Sequence, residues 1–523
     1  MPRFHRSGAI VAVGLTAALA GCTFSTAPVA TPSPSPIPTS IQQIMDKPDY
    51  AGGTWGMQVV DLDTGNVVYA RNAGDRFMTG SVAKVFSVTA ALDTLGPDHT
   101  FKTPVVTTGT LDGPTLRGDL VLRAAGDLTF GDRRKADGTL DVPIFDHYDA
   151  NALPGLATLS TGNPLLGLDE LAQEVAAAGI HDVSGNVLID DRLWDPVTLD
   201  GVPITPISVN DNLVDFLVRP GAAAGAPATF SWQPMTAAYA PSIEVTTGAP
   251  DSPIDLTVTP GAGGKLVLAG SVPLGHDPIV HTYQVPDPGT WARTLFIEAL
   301  RRHGVTVSAD PLAANDPSAL PTRATLDAAK VVASFDSVPF SETARLINKV
   351  SHNLGANQLP LILAANAGKR TLADGLVIEQ AAVAKGGVAA DQITLTDGQG
   401  LPGNTVSPEG ITTYLRSLTS TPTFKTFYDS TPILGVDGSL ASVLPAGDPA
   451  IGHAHAKTGT LVSAEGDKLL LETKALAGYL DAASGKRYAF GIFVNNVPIS
   501  GVNAVLTANS DIGAIASQLY RML

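Results

Sequence analysis

Between Thr54 and Asn72 apolar and polar side chains alternate on either side of Asp63-Thr64-Gly65-Asn66. A period of two around a glycine-containing turn predicts an antiparallel hairpin with Gly65 in the turn. The period then changes. Val82, Val85, Phe86, Val88, Ala91 and Leu92 recur at helical spacing, and Gly96 with Pro97 ends the run, so a helix is expected from about Val82 to Leu95. Ser81 falls at its N-terminus, where backbone N–H groups lack intrahelical partners and the helix dipole is positive. Lys84 lies one turn further on the same side.

The stretch from Phe101 to Phe335 reads differently. Short alternating runs such as "GDLVLRAAGD" and "SIEVTTGAP" are separated by Gly and Pro turns, with few strong helices. A loose internal echo links Leu168–Asp190 with Trp291–Ala313, each running helix, glycine, apolar residue, strand. One or two small β-rich modules are expected here. Helical periodicity returns in "SETARLINKVSHNLGANQLPLILAANA" from Ser341 and in "LVIEQAAVAKGG". Strands follow in "AHAKTGTLVSAEGD" and "TKALAGYLDAASGKRYAFGIFVNN", with "ASGK" as a hairpin turn, before a closing helix at Ser510–Leu523. The order predicts an α/β (α+β) layered domain, an antiparallel sheet flanked by helices, split in sequence by the β-rich insertion.

At the N-terminus Arg3 and Arg6 precede an apolar run from Ala9 to Ala20, too short to stay in a bilayer, which reads as a secretory signal over residues 1–21. The run stops at "LAGC", and Cys22 is the only cysteine of the 523 residues. This resembles a bacterial lipobox, which implies cleavage before Cys22 and a diacylglycerol on its sulfur; the alternative is a lone cysteine beside a simple signal. A single thiol excludes an internal disulfide. The Pro/Ser/Thr-rich stretch that follows makes residues 22–40 a tether. The expected location is the outer face of the cell membrane, as an exported lipoprotein. A net charge of −16 argues against nucleic acid, whose phosphates require Lys and Arg. The 44% apolar and 16% charged composition is that of a folded globular chain.

The Ser81-x-x-Lys84 pair alone decides little, since about one such pair arises by chance in a chain of this size. Two further triplets change its weight: Ser351-His352-Asn353 in a helical region, and Lys457-Thr458-Gly459, followed by Thr460, on a strand. A serine hydroxyl must lose its proton to a base as it attacks, and Lys84 is within reach. An ordinary lysine is protonated at neutral pH, so Lys84 must be desolvated or lie near another cation, for which Lys457 is the candidate. Taken singly, Ser351 and Asn353 read better as polar residues of a helix surface; the other two triplets together reverse that reading.

In order and context the triplets resemble the S-x-x-K, S-x-N and K-T-G motifs of the serine D,D-peptidase and β-lactamase superfamily. The resemblance implies that Ser351 relays a proton to the leaving group and that Asn353 binds substrate backbone or Lys84. Lys457, Thr458 and Thr460 then offer a cation and donors to a substrate carboxylate. Gly459 is expected to clear room for substrate against the strand, with the N–H groups of Ser81 and Thr460 as the oxyanion hole.

The flanks narrow the resemblance. "VVDLDTGNVVYARNAGDRFMTGSVAKVFSVTAALDTLGPDHTFKTPV", "GDLVLRAAGDLTF", "VSGNVLIDDRLW", "SVNDNLVDFLVRPG", "DGQGLPGNTVSP", "ILGVDGSL" and "KALAGYL" are similar to the D-alanyl-D-alanine carboxypeptidase/endopeptidase family, the class C low-molecular-mass penicillin-binding proteins. Membership implies a transpeptidase-like domain over residues 41–99 and 334–523. An inserted domain would take 100–125 and 204–333, with a third, over 126–203, nested in it. It further implies peptidoglycan stem peptides ending in D-Ala-D-Ala as substrates, β-lactams as ligands, a membrane contact through the lipid only, and neither metal nor organic cofactor. A β-lactamase or esterase of the same superfamily, and a catalytically inert wall-binding lipoprotein, are the alternatives. Departures from the family pattern are His352 where Asp is usual, "GANQ" for a typical Ala-Glu step, and "MTGS" for Pro-Ala-Ser. His453 and His455 alternate on one strand face without further ligands and are assigned to packing, and Asp127, Asp190 and Asp191 to structural or surface roles.

Overall fold

The computed structural model describes residues 33–523 apart from Asp467. The signal segment, Cys22 and most of the tether lie outside the described residues, and among those described no helix is long and apolar enough to cross a membrane.

Both ends of the chain build one five-stranded sheet, in the order Val67–Arg71, Thr54–Asp61, Arg487–Ile499, Lys468–Asp481, Ala454–Glu465. The first hairpin forms as its alternation predicts, with Gly65 in the turn at φ +75. Its inner strand pairs antiparallel with the last strand of the chain, Met57 opposite Ile492. Along Lys468–Asp481 the pleat sends Ala475, Ala477 and Tyr479 to one face and Leu476 and Leu480 to the other. Both faces are apolar because both are covered, so "KALAGYL" reads as a continuous run rather than an alternation. On one face the helices Lys84–Leu95, Phe340–Lys349, Asn353–Asn366 and Pro408–Leu418 enclose a core that includes Phe86, Ile347, Leu354 and Ile411. The other face is covered by Thr39–Met45 and Val502–Met522, through Ile41, Ile512, Ile515 and Leu519.

The insertion has its own core. Lys102–Asp112 and Thr115–Arg123 lie in a sheet with Lys330–Asp336, Asp182–Val183, Val187–Asp190 and Thr306–Val307. The helices Leu166–Ala177 and Pro288–Arg302, the two halves of the internal echo, supply Leu168, Leu171, Leu295 and Phe296 to that core. Two three-stranded sheets complete it. Strands 182–183 and 187–190 fall within the sequence boundaries of the nested module, yet they pair with Thr115–Arg123 of the surrounding one. Outside those sheets lie a small hairpin, Thr198–Leu199 with Val202–Pro203, and the loop 126–165, which contains no strand and one short helical turn, His147–Asp149.

Two local differences from the periodicity reading matter for the site. The segment Gly80–Ala83 is a 3₁₀ turn, and the α-helix starts at Lys84. Gly80 has φ +47, and a Cβ there would approach the Thr460 amide nitrogen to 2.8 Å, so the tight turn is what seats the chain against the neighbouring strand. The helical pattern from Ser341 is also interrupted, because Ser351 adopts φ +63 between two helices.

Pro360 lies inside the helix Asn353–Asn366 and cannot donate to the carbonyl of Ala356. Gly398 packs onto that carbonyl, where a Cβ would come to 2.0 Å, and Gly375 of the helix Leu372–Lys385 packs onto the Pro360 carbonyl, where a Cβ would come to 1.8 Å. Gly375→Ala should therefore destabilise by about 1–3 kcal/mol through forced separation of the two helices. A thermal melt of the variant checks this: an unchanged apparent melting temperature would show that the helices separate freely.

Candidate active site

Ser81 is half-buried at the start of the nucleophile turn. The Nζ of Lys84, fully buried, donates to Ser81 Oγ at 2.7 Å, Asn353 Oδ1 at 2.8 Å and the Gln399 carbonyl at 3.2 Å. No carboxylate pairs with it among the described residues. Burial pushes its pKa down to about 7, with Asp149 and Asp397 pulling weakly the other way. Of the two causes the sequence left open, desolvation is thus the leading one, and it leaves a neutral amine accessible near neutral pH.

The third motif supplies a second buried lysine. Lys457 is fully buried, and its Nζ donates to Ser351 Oγ at 3.0 Å and to the Thr458 carbonyl at 3.0 Å. Burial, then Lys84 and Lys474, hold it well below the usual lysine range. Ser351, Asn353, Lys84 and Lys457 are accordingly brought together as expected, with the second motif in a helix–helix link rather than within a helix.

His352 turns away from this groove. Its Nδ1 accepts the Gly355 N–H at 3.1 Å, capping the helix that carries Asn353, which leaves Nε2 to donate to Asp211 at 3.1 Å. Asp211 belongs to the insertion, in a run of three left-handed residues, Asn210, Asp211 and Asn212. The buried Arg133 guanidinium bonds Asp211 at 2.6 Å and Asp146 at 2.5 and 3.0 Å. His147 bridges Asp211 at 2.9 Å and Asp215 at 2.8 Å. Burial opposes a charge on His147, but Asp215 and Asp146 outweigh it and hold the ring protonated well above the usual range. Asp146, Asp211 and His352 have the donor atoms of a metal cluster, and the guanidinium already neutralises the two carboxylates. This network fastens loop 126–165 and the insertion to the second motif.

The third motif occupies the edge strand Ala454–Glu465. Gly459 has a role within the protein: a Cβ there would lie 2.3 Å from the Thr79 carbonyl, so the glycine admits the nucleophile turn. Thr458 Oγ1 meets Ser439 Oγ at 2.8 Å, and Thr460 Oγ1 accepts from Lys474 Nζ at 2.8 Å. A cavity of about 320 Å³ opens over Ser81, Ser351, Asn353, Thr458 and Thr460. Ile144, Leu156 and Leu506 contribute exposed apolar edges to it. Asp149 faces the same cavity; burial, aided by Asp146, pushes its pKa up to about 6.

Sequence reasoning missed Gln399, Ser439, Asp149 and Lys474. Of these only Lys474 carries a readable signal, a lysine amid the apolar strand "LETKALAGYL". His455 stacks on Tyr428 with ring centroids 3.8 Å apart, and His453 packs beside Tyr520. Asp127 accepts from the Thr129 N–H, and Asp190 holds Arg192 at 2.7 Å.

The profile of the D-Ala-D-Ala carboxypeptidase 3 (S13) family matches residues 38–519. The chain belongs to that family. It is thereby a hydrolase of the serine peptidase class. Among curated relatives, the D-alanyl-D-alanine carboxypeptidase of Actinomadura sp. (strain R39) is 30% identical over 485 residues, covering 87% of this chain and 80% of the relative. D-alanyl-D-alanine carboxypeptidase DacB of Haemophilus influenzae is 22% identical over 469 residues, 85% of this chain and 86% of the relative. The crystal structure of penicillin-binding protein 4 (dacB) from H. influenzae superposes with a TM-score of 0.65 at 18% identity, over 92% of this chain and 99% of that one. That likeness shows the penicillin-binding-protein fold.

In this S13 chain the histidine of the second motif is both helix cap and link to Asp211. His352→Ala should cost about 2–4 kcal/mol, from a lost cap and a lost hydrogen bond to a buried carboxylate. His352→Asn, which keeps a capping acceptor, should recover part of it. Apparent melting temperatures of the two variants check the order; equal losses would show that capping contributes nothing.

Proposed function

We propose that this chain is a serine-type D-Ala-D-Ala carboxypeptidase that trims peptidoglycan stem peptides through an acyl-enzyme on Ser81, with D,D-endopeptidase cleavage of cross-links as a second use of the same groove. The observation that carries this reading is the 2.7 Å contact between Ser81 Oγ and a buried amine that has no counter-ion among the described residues. Neutral Lys84 takes the hydroxyl proton as Ser81 Oγ bonds to the penultimate D-Ala carbonyl carbon. The carbon–nitrogen bond then breaks, and the departing amine receives a proton through Ser351 from Lys457. Water hydrolyses the ester and restores Ser81. The edge strand leaves one row of backbone groups for an extended peptide, and the Thr460 amide beside the turn supports its role, with the Ser81 N–H, in holding the oxyanion. A β-lactam offers a strained amide and a carboxylate in similar places, and is expected to acylate Ser81.

We further infer export by the N-terminal signal and anchoring through a lipid on Cys22 at the outer face of the membrane. The proline-rich tether supports work at a distance from that surface.

Fluorescent penicillin should label the wild type and not Ser81→Ala, and the wild type should release D-Ala from a D-Ala-D-Ala peptide. Rapid penicillin turnover without peptide cleavage would replace this reading with a β-lactamase. A missing Ser81-dependent adduct would make the chain catalytically inert.

The pH dependence follows from Lys84. Below about pH 7 the amine is protonated and cannot accept a proton, so acylation should rise with pH through about 7 and level off above it. Lys84→Met should slow acylation by about 10²–10⁴-fold. A wild-type rate constant independent of pH between 5 and 9 would remove Lys84 as the base.

A further inference from the structure

Glu379 belongs to none of the three motifs and is fully buried on the helix Leu372–Lys385. It meets Ser87, one turn beyond Lys84 on the helix Lys84–Leu95. Ser87 Oγ lies 2.9 Å from Glu379 Oε1 and 3.1 Å from the Gly398 carbonyl. A hydroxyl has a single proton to give, and a carbonyl can only accept. Both contacts are hydrogen bonds at once only when Ser87 donates to Gly398 and Glu379, as a neutral acid, donates to Ser87. The surroundings agree. Glu379 Oε2 has no partner among the described residues, which costs far less on a neutral acid than on a carboxylate. Burial, with Asp397 adding to it, pushes the pKa of Glu379 up to about 8.

The Gly398 carbonyl and the Gln399 N–H belong to one peptide unit. Its N–H donates to Asp397 Oδ1 at 2.9 Å and Asn357 Oδ1 at 3.1 Å, and Ser87 holds its carbonyl end. The next carbonyl, that of Gln399, accepts from Lys84 Nζ. A neutral amine has two N–H groups and one lone pair. Asn353 Oδ1 and the Gln399 carbonyl can only accept, so they take the two N–H groups and turn the lone pair towards the Ser81 hydroxyl.

Resting on the acyl-enzyme reading above, we infer that Glu379, as a protonated acid, is a positioning residue: through Ser87 it fixes the 398–399 peptide, so that the Gln399 carbonyl aims the lone pair of Lys84 at the Ser81 hydroxyl. Glu379 does not line the cavity, so its effect falls on proton transfer rather than on binding.

The test resolves penicillin acylation into two constants, the affinity of the complex formed before the covalent step and the rate constant of that step, in wild type, Glu379→Leu, Ser87→Ala and Glu379→Gln. Glu379→Leu and Ser87→Ala should each slow the covalent step about 10-fold by misdirecting the base, with affinity unchanged. The double variant should be no slower than either single one, because both break the same link. Glu379→Gln, whose amide can donate to Ser87, should keep most of the rate. Should Glu379→Leu fail to fold, Ser87→Ala breaks the link with a smaller change and decides the matter. The infrared difference between wild type and Glu379→Gln at neutral pH should contain the carbonyl stretch of a protonated acid. Carboxylate bands in its place overturn the inference, as does a Ser87→Ala variant that acylates at the wild-type rate or loses affinity instead of rate. If the wild type forms no Ser81 adduct, the acyl-enzyme reading fails and the positioning role with it. A wild type that acylates beside variants that match it removes the positioning role alone.

Discussion

Three amines, on Lys84, Lys457 and Lys474, are buried along one groove, and among the described residues none of them meets a carboxylate. Removing an ammonium from water without a counter-ion favours its neutral form, which is why all three are held below the ordinary lysine range. The surrounding structure exists to keep them there. Lys84 is fixed by a side-chain oxygen, a hydroxyl and a main-chain carbonyl, acceptors that can orient an amine without locking a proton on it. A carboxylate in the position of Asn353 would raise the pKa of Lys84 and remove the base. The chain as a whole carries a net charge of −16, so three lysines gathered in one groove stand apart from the composition of the molecule.

The acidic groups nearest the groove are kept occupied. Asp146 and Asp211 are neutralised by Arg133, and Asp211 and Asp215 by His147, so that loop 126–165 can wall the cavity without offering free carboxylates to the lysines. Asp149 is the exception, and burial raises its pKa, which reduces its charge where it faces the cavity. His352 belongs to this arrangement. Its ring lets the second motif contact Asp211 by donating a hydrogen bond, which an ionised carboxylate at the same place could not do.

The features legible in the sequence were those fixed locally. The hairpin around Gly65 and the helix after Ser81 follow from side-chain period and turn chemistry, and the three triplets identified the groups that meet in the groove. What was not legible depends on a second strand or loop. The 3₁₀ turn at Gly80 reflects the closeness of the Thr460 amide, and the need for Gly459 reflects the Thr79 carbonyl; neither neighbour is near in sequence. The break at Ser351 is hidden because the residues on both sides keep helical spacing. Lys474 becomes a cavity residue only once the register opposite Thr460 is known, and strands 182–190 change module only through pairing with Thr115–Arg123.

The separation between the first and second motifs is also the simplest to explain. Lys84 and Asn353 are 269 positions apart and in direct contact at 2.8 Å. The intervening insertion leaves along Lys102–Asp112 and returns along Lys330–Asp336, which are paired antiparallel neighbours. At the junction the Phe101 N–H donates to Ser337 Oγ at 2.9 Å, and the Ser337 N–H donates to the Phe101 carbonyl at 3.0 Å. Chain closure there is made by a strand pair rather than by a floppy loop, so the insertion adds little entropy cost to joining the two halves of the catalytic fold. The same rigid junction carries loop 126–165 back over the cavity, which makes the insertion a wall of the active site as well as an interruption of its sequence.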